Sequence, residues 1–222
     1  MKNYCITCIL FFITFLSYSQ TFDQKIEDLI NENLDETIEL RHWFHQNAEL
    51  SNREFKTAAR IAEELKKIGY EPMTGIAKTG VVAILNPGKP GPVVGLRADI
   101  DALPVKERAD IPWASKMKGV YNGEEVPVMH ACGHDMHTAI LLAAAKILYD
   151  IKDEIPGQVK FIFQPAEEGA PPGEEGGAEL MVKEGVLNNP DVDAIFGLHV
   201  WSQLHAGQVY LRPEGIMAAV NE

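Results

Sequence analysis

Apolar positions along the chain change spacing several times, and each change marks an element. Beyond Asp23 they recur three and four residues apart, at Ile26, Leu29, Ile30, Leu34 and Ile38. That spacing predicts a helix capped by Asp23 and running to about Asn47. A second helix is predicted over 54–68, with Phe55, Ala58, Ala62 and Leu65 inward and Gly69 as its stop. The pattern then shifts to short apolar runs at 81–85 and 93–98. The Asn-Pro-Gly-Lys-Pro-Gly turn sequence between them predicts a hairpin. Residues 106–129 read as a long irregular loop, and the Ala/Leu-rich stretch 136–150 as a buried helix. Strands are predicted at 158–163, 194–198 and 207–211, with a short helix at 177–184. Strands alternating with helices predict an α/β sheet covered by helices on both faces.

The first twenty residues follow a different rule. Lys2 precedes a mostly apolar run at 4–16, and Ser17 and Ser19 supply small residues before Gln20. This is the pattern of a signal peptide over 1–19; the run is short for a membrane span. The expected mature protein is therefore exported, with no membrane attachment after cleavage. Of the three cysteines, Cys5 and Cys8 would leave with the leader. Cys132 then stands alone, unable to form an internal disulfide. A net charge of −12 excludes nucleic acid as the main partner, because phosphate binding needs clustered Lys and Arg.

Candidate chemistry gathers where strands are predicted to end, the usual place for ligands in open α/β sheets. Asp99 and Asp101 follow the run 93–98, Glu167 and Glu168 follow 158–163, and His199 follows 194–198. Before the buried helix stands His-Ala-Cys-Gly-His-Asp-Met-His, residues 130–137. Cys132 and His134, two apart, would diverge on a helix. Gly133 permits the turning backbone that brings them together, and thiolate plus imidazole begins a zinc site. The helix that follows is expected to present its N-terminus to the thiolate and lower its pKa. Adjacent carboxylates at a strand end are expected to point in opposite directions, one toward a metal and the other toward a water. Taken singly, Cys132 also fits a small buried apolar residue and the Glu pair ordinary surface charge. A thiol nucleophile paired with His134 or His137 is a further alternative. His42 and His45 read as packing residues on the first helix, His205 as a surface turn, and Trp113 and Trp201 as core or pocket lining.

Together these segments resemble the amidohydrolase branch of the aminoacylase/carboxypeptidase metallopeptidases. That branch includes hippurate hydrolases, N-acyl-L-amino acid amidohydrolases and plant indole-acetyl-amino-acid hydrolases. The resemblance rests on RADIDALP (97–104), MHACGHDMHTA (129–139), FQPAEEG (163–169) and GLHVW (197–201). RHWFHQNAEL (41–50) is similar to the branch's early helix, with Asn47-Ala48 where His-Pro is more usual. The resemblance implies Cys132, His134, Glu168 and His199 as metal ligands, Glu167 as general base, and supporting roles for Asp99 and Asp101. It implies one or two divalent ions, zinc or manganese, with cobalt or nickel as alternatives. It implies a zinc-peptidase-like mixed sheet flanked by helices, a small-molecule N-acyl amino acid or dipeptide-like substrate, and homodimers among full-length relatives. On this reading residues 20–215 form the N-terminal portion of the catalytic domain, and 216–222 begin a lid domain. The rest of the lid, the returning strands and a further ligand histidine would be missing. A catalytically inactive metal-binding fragment is the alternative function.

Overall fold

The computed structural model describes the backbone of residues 3–211 and the side chains of residues 21–211. The side chains of the expected leader, and the expected lid entry at 216–222, lie outside the described residues. Helix α1 (Asn3–Gln46) is continuous, extending upstream of Asp23 because no Gly or Pro interrupts that stretch. Among the described residues no helix is long and apolar enough to cross a membrane. Helix α2 (Phe55–Ile68) ends at Gly69, whose left-handed conformation lets its N–H bond the carbonyls of Leu65 and Lys66. Its inner face is Ala58, Ile61, Ala62 and Leu65; Phe55, expected inside, is exposed.

Five strands form the main sheet: β1 (Met73–Ile76), β2 (Gly80–Leu85), β3 (Val93–Asp99), β6 (Gln158–Gln164) and β7 (Ala194–Gly197). Their spatial order is β1-β2-β6-β3-β7. The expected hairpin between β2 and β3 is therefore not formed, because β6 lies between them. It runs antiparallel to β2 (Ala83 opposite Phe161) and parallel to β3 (Leu96 opposite Phe161). The cause is burial. From Val159 to Gln164 every β6 residue is buried, so this strand needs cover on both faces and a partner on both edges. Strand β7 continues the parallel pairing beside β3.

The expected loop at 106–129 contains a separate antiparallel hairpin, β4 (Met117–Tyr121) and β5 (Glu124–Val128), closed by Asn122-Gly123. Residues 207–211, expected as a strand, are irregular and exposed. Helix α3 (His134–Asp150) begins two residues earlier than its apolar pattern suggested.

The sheet has helices on both faces, as expected. Leu40 and Phe44 of α1, the inner face of α2, and Leu141, Leu142 and Ala145 of α3 pack on Val81, Ala83, Ala98, Phe161 and Phe163. The opposite face is covered by helix α4 (Gly177–Lys183) and the turn after it, through Met181 and Val186 on Val82 and Ile162. Lys160 is buried on that face, and its ammonium donates to the carbonyls of Val186, Asn188 and Pro190. This layering leaves the carboxyl ends of β3, β6 and β7 beside the N-terminus of α3.

Candidate metal centre

Gly133 starts the site. Its φ of +96° turns the chain so that Cys132 precedes α3 and His134 opens it. A Cβ at this position would sit 2.4 Å from Val200 Cγ2, so the backbone approaches the segment after β7 more closely than any other residue allows. Cys132 Sγ consequently lies 3.4 Å from His199 Nε2. His199 donates from Nδ1 to the carbonyl of Val200, which leaves Nε2 facing the thiol.

His134 is the hub. Its ligating atom lies within 4.8 Å of those of Cys132 and His199, of Asp99 and His137, and of Glu167 and Glu168. Nδ1 donates to the backbone carbonyl of Asp101 at 2.9 Å, with Asp101 Oδ1 at 3.2 Å. The ring is thereby turned so that Nε2 points at Asp99 Oδ2 (3.6 Å), Glu167 Oε2 (3.6 Å) and Glu168 Oε1 (3.7 Å). The Glu pair does not diverge as expected of a strand end. Strand β6 stops at Gln164, Ala166 adopts a φ of +48°, and both carboxylates of the resulting turn face the same imidazole nitrogen. What separates them is exposure: the Glu167 side chain is 36% exposed and that of Glu168 19%.

Electrostatics match a cage for a cation. Burial, then the carboxylates of Glu168, Glu167 and Asp99, push the Cys132 thiol up to about 12. The expected lowering by the helix N-terminus does not appear, since desolvation and three nearby carboxylates outweigh a partial dipole charge. Burial opposes protonation of His134, but its bond to Asp101 and the charges of Asp99, Asp101 and Glu168 raise it to about 9. Burial raises Glu168. Burial also opposes ionisation of Asp99, yet the bond from His137 and the Arg97 guanidinium at 2.7 Å hold its carboxyl below the usual range. Two buried candidate ligand atoms, His134 Nε2 and Glu168 Oε1, have no hydrogen-bond partner among the described residues. A thiol and two imidazoles, with the Glu167 and Glu168 carboxylates on the same His134, make up donor types suited to Zn²⁺ or a similar ion.

Asp101 is bonded along two routes. Its Oδ2 accepts from Ser51 Oγ at 2.7 Å and from the N–H of Glu168 at 3.0 Å, while its Oδ1 and carbonyl orient His134. Asp99 works through His137, whose Nδ1 donates to Asp99 Oδ1 while Nε2 accepts from the N–H of Val200 at 3.0 Å. His137 thus ties the end of β3 to the residue after His199. Its position three residues after His134 on a helix was the available signal. Ser51 and Glu54 gave no comparable signal.

Of the remaining candidates, His42 stacks on Trp113 with ring centroids 3.8 Å apart, a packing role. His45 is buried between Asp135 (2.9 Å) and Glu107 (2.8 Å). With Arg41, also on Asp135, it anchors the first turn of α3 to α1. His205 is exposed, and Trp201 is half exposed with its ring 6.4 Å from that of His199.

The sequence profile of peptidase family M20/M25/M40 matches residues 95–214, a stretch holding every ligand candidate. The chain belongs to this family. Its relatives are metal-dependent amidohydrolases and peptidases. It is 42% identical to the N-acyl-L-amino acid amidohydrolase of Geobacillus stearothermophilus, over 88% of this chain and 49% of that protein. It is 41% identical to the hippurate hydrolase of Campylobacter jejuni, over 86% of this chain and 47% of that protein. Among solved structures it is similar to the Bacillus subtilis YXEP protein, described as a dinuclear metal binding peptidase from the M20 family. There the identity is 40% and the TM-score 0.67, over 77% of this chain and 44% of that one. The chain spans about half the length of the curated relatives it matches.

Proposed function

We propose that this protein takes part in the hydrolysis of N-acyl amino acids or small peptide-like amides. The observation that carries this reading is that two sets of ligand atoms, those of Cys132, His134 and His199 and those of His134, Glu167 and Glu168, meet at His134, where Nε2 and a Glu168 oxygen are buried and unpartnered. The names of the relatives support the amide substrate class. A divalent cation held by Cys132, His134, Glu168 and His199 would supply Lewis acidity to a water and to the substrate carbonyl. Glu167 takes a proton from the water as the water oxygen adds to the amide carbonyl carbon. It then delivers that proton to the amine nitrogen, so that the C–N bond breaks after the new C–O bond has formed and the carboxylic acid and amine are released. Asp101 keeps the His134 proton on Nδ1, and Asp99 with His137 fixes the segment carrying His199. Burial and the nearby carboxylates push the Cys132 thiol up, which favours a cation ligand over a free thiolate nucleophile at this position.

Export forms part of the same proposal, supported by the apolar run at 4–16 and the small residues that follow it. Mass spectrometry showing a mature N-terminus at Gln20 tests it. The catalytic reading is tested by amino-acid release from N-acetyl and N-benzoyl amino acids, with Zn²⁺ or Mn²⁺ added and with chelator. Chelator-sensitive release that disappears in Glu167→Gln is the expected result. Tight metal binding without release on any substrate would instead show a metal-binding chain that does not catalyse.

A further inference from the structure

Glu54 has no exposed surface, although a glutamate just ahead of a helix normally sits in water. It occupies the N-cap position of α2 yet makes no side-chain bond to its own helix. Both carboxylate oxygens are used elsewhere. Oε2 accepts from Thr79 Oγ1 at 2.7 Å, and Oε1 accepts from the N–H of Ala166 at 2.8 Å. Ala166 is the residue whose φ of +48° turns the chain out of β6 and into Glu167-Glu168. A residue with a Cβ does not hold that conformation cheaply, so an external grip is required.

Neighbours of Glu54 bond groups around the same turn. Ser51 bonds the Asp101 oxygen that accepts the Glu168 N–H. Asn52 Nδ2 donates to the carbonyl of Glu175. Residues 51–54 therefore hold the residue before the Glu pair directly through Glu54, the Glu168 N–H indirectly through Asp101, and the following loop at Glu175.

We propose that Glu54 is a positioning residue for the metal site: by holding the Ala166 N–H it sets the turn that aims Glu167 and Glu168 at His134 Nε2. This rests on the metal-site reading above. A merely structural strut would affect folding alone, whereas a positioning residue also sets metal affinity. Glutamine can replace it, presenting its carbonyl to Ala166 and donating its amide to the Thr79 hydroxyl. Burial, the largest influence on Glu54, pushes its carboxyl up to about 7, in keeping with a site that accepts a neutral group.

The test is Zn²⁺ affinity of the full chain by competition with a chromophoric chelator, together with the Co²⁺ absorption spectrum and circular dichroism. Glu54→Ala, folded, is expected to bind Zn²⁺ roughly 10–100-fold more weakly, the loss typical of outer partners of metal ligands, with an altered Co²⁺ spectrum. Glu54→Gln is expected to stay within about threefold of wild type, since the hydrogen bonds are kept. Unchanged affinity in folded Glu54→Ala, or an equal loss in Glu54→Gln, overturns the proposal. If Glu54→Ala does not fold, Thr79→Val decides: roughly threefold to tenfold weaker binding supports it and unchanged binding overturns it. Failure of the wild-type chain itself to bind Zn²⁺ would instead sink the underlying metal-site reading.

Discussion

Gly133→Ala tests how the site is built, independently of any metal. Two costs can be worked from the structure. The residue sits at φ +96°, where an L side chain is strained by about 1–2 kcal/mol. Its new Cβ would meet Val200 Cγ2 at 2.4 Å, an overlap that forces movement and costs about 1–3 kcal/mol more. The sum is a destabilisation of about 2–5 kcal/mol, measured by urea unfolding of the metal-free chain. The two parts separate in a double-mutant cycle. Val200→Ala opens the space but leaves the backbone strain, so the double variant should recover about 1–3 kcal/mol relative to the sum of the singles. Gly133→Ala within about 0.5 kcal/mol of wild type would refute the strain argument. Strict additivity in the cycle would refute the claim that Gly133 is needed for close approach to the His199 segment.

Three further outcomes are expected. Asp101→Asn keeps the shape but puts an NH₂ toward either the His134 Nδ1–H or the Ser51 and Glu168 donors; Zn²⁺ affinity should fall roughly 10–100-fold, read by chelator competition. Because Cys132 is held up to about 12 and His134 up to about 9, Zn²⁺ binding at pH 7.5 should release about two protons, measured by calorimetry in buffers of different ionisation enthalpy. Cys132→Ser should release about one fewer. Burial raises Glu54 from 4.5 to about 7, so the folded chain keeps that proton where the unfolded chain has lost it. Its contribution to stability is greatest below about pH 4.5 and is lost as pH rises through about 7. Glu54→Gln should be free of that decline, gaining on wild type by up to about 3 kcal/mol across the window in denaturant titrations at stepped pH.

The candidate site was legible in the sequence because its candidate residues carry distinctive chemistry and sit at the ends of β3, β6 and β7 and at the start of α3. Gly133 marked the turn that separates Cys132 from α3. The local order of the sheet was not legible. The turn at 86–91 carries a strong hairpin signal, but the partner of β2 is decided by the burial of β6 more than seventy residues onward. Glu167 and Glu168 are expected to diverge as neighbours at a strand end, while the left-handed Ala166 ends that alternation before them. Glu54 and Ser51 were missed for a related reason. On sequence they look like surface polar residues beside a helix start, and only long-range packing buries them against Thr79, Ala166 and Asp101.

The central claim is that one cation is held jointly by Cys132, His134, Glu168 and His199. Anomalous diffraction at the zinc edge, from crystals of the chain grown with Zn²⁺, tests it most directly. The account predicts a peak about 2.3 Å from Cys132 Sγ, about 2.0–2.1 Å from Nε2 of His134 and His199, and about 2.0–2.2 Å from a Glu168 oxygen. A peak held by other residues, or none at saturating zinc, would contradict it.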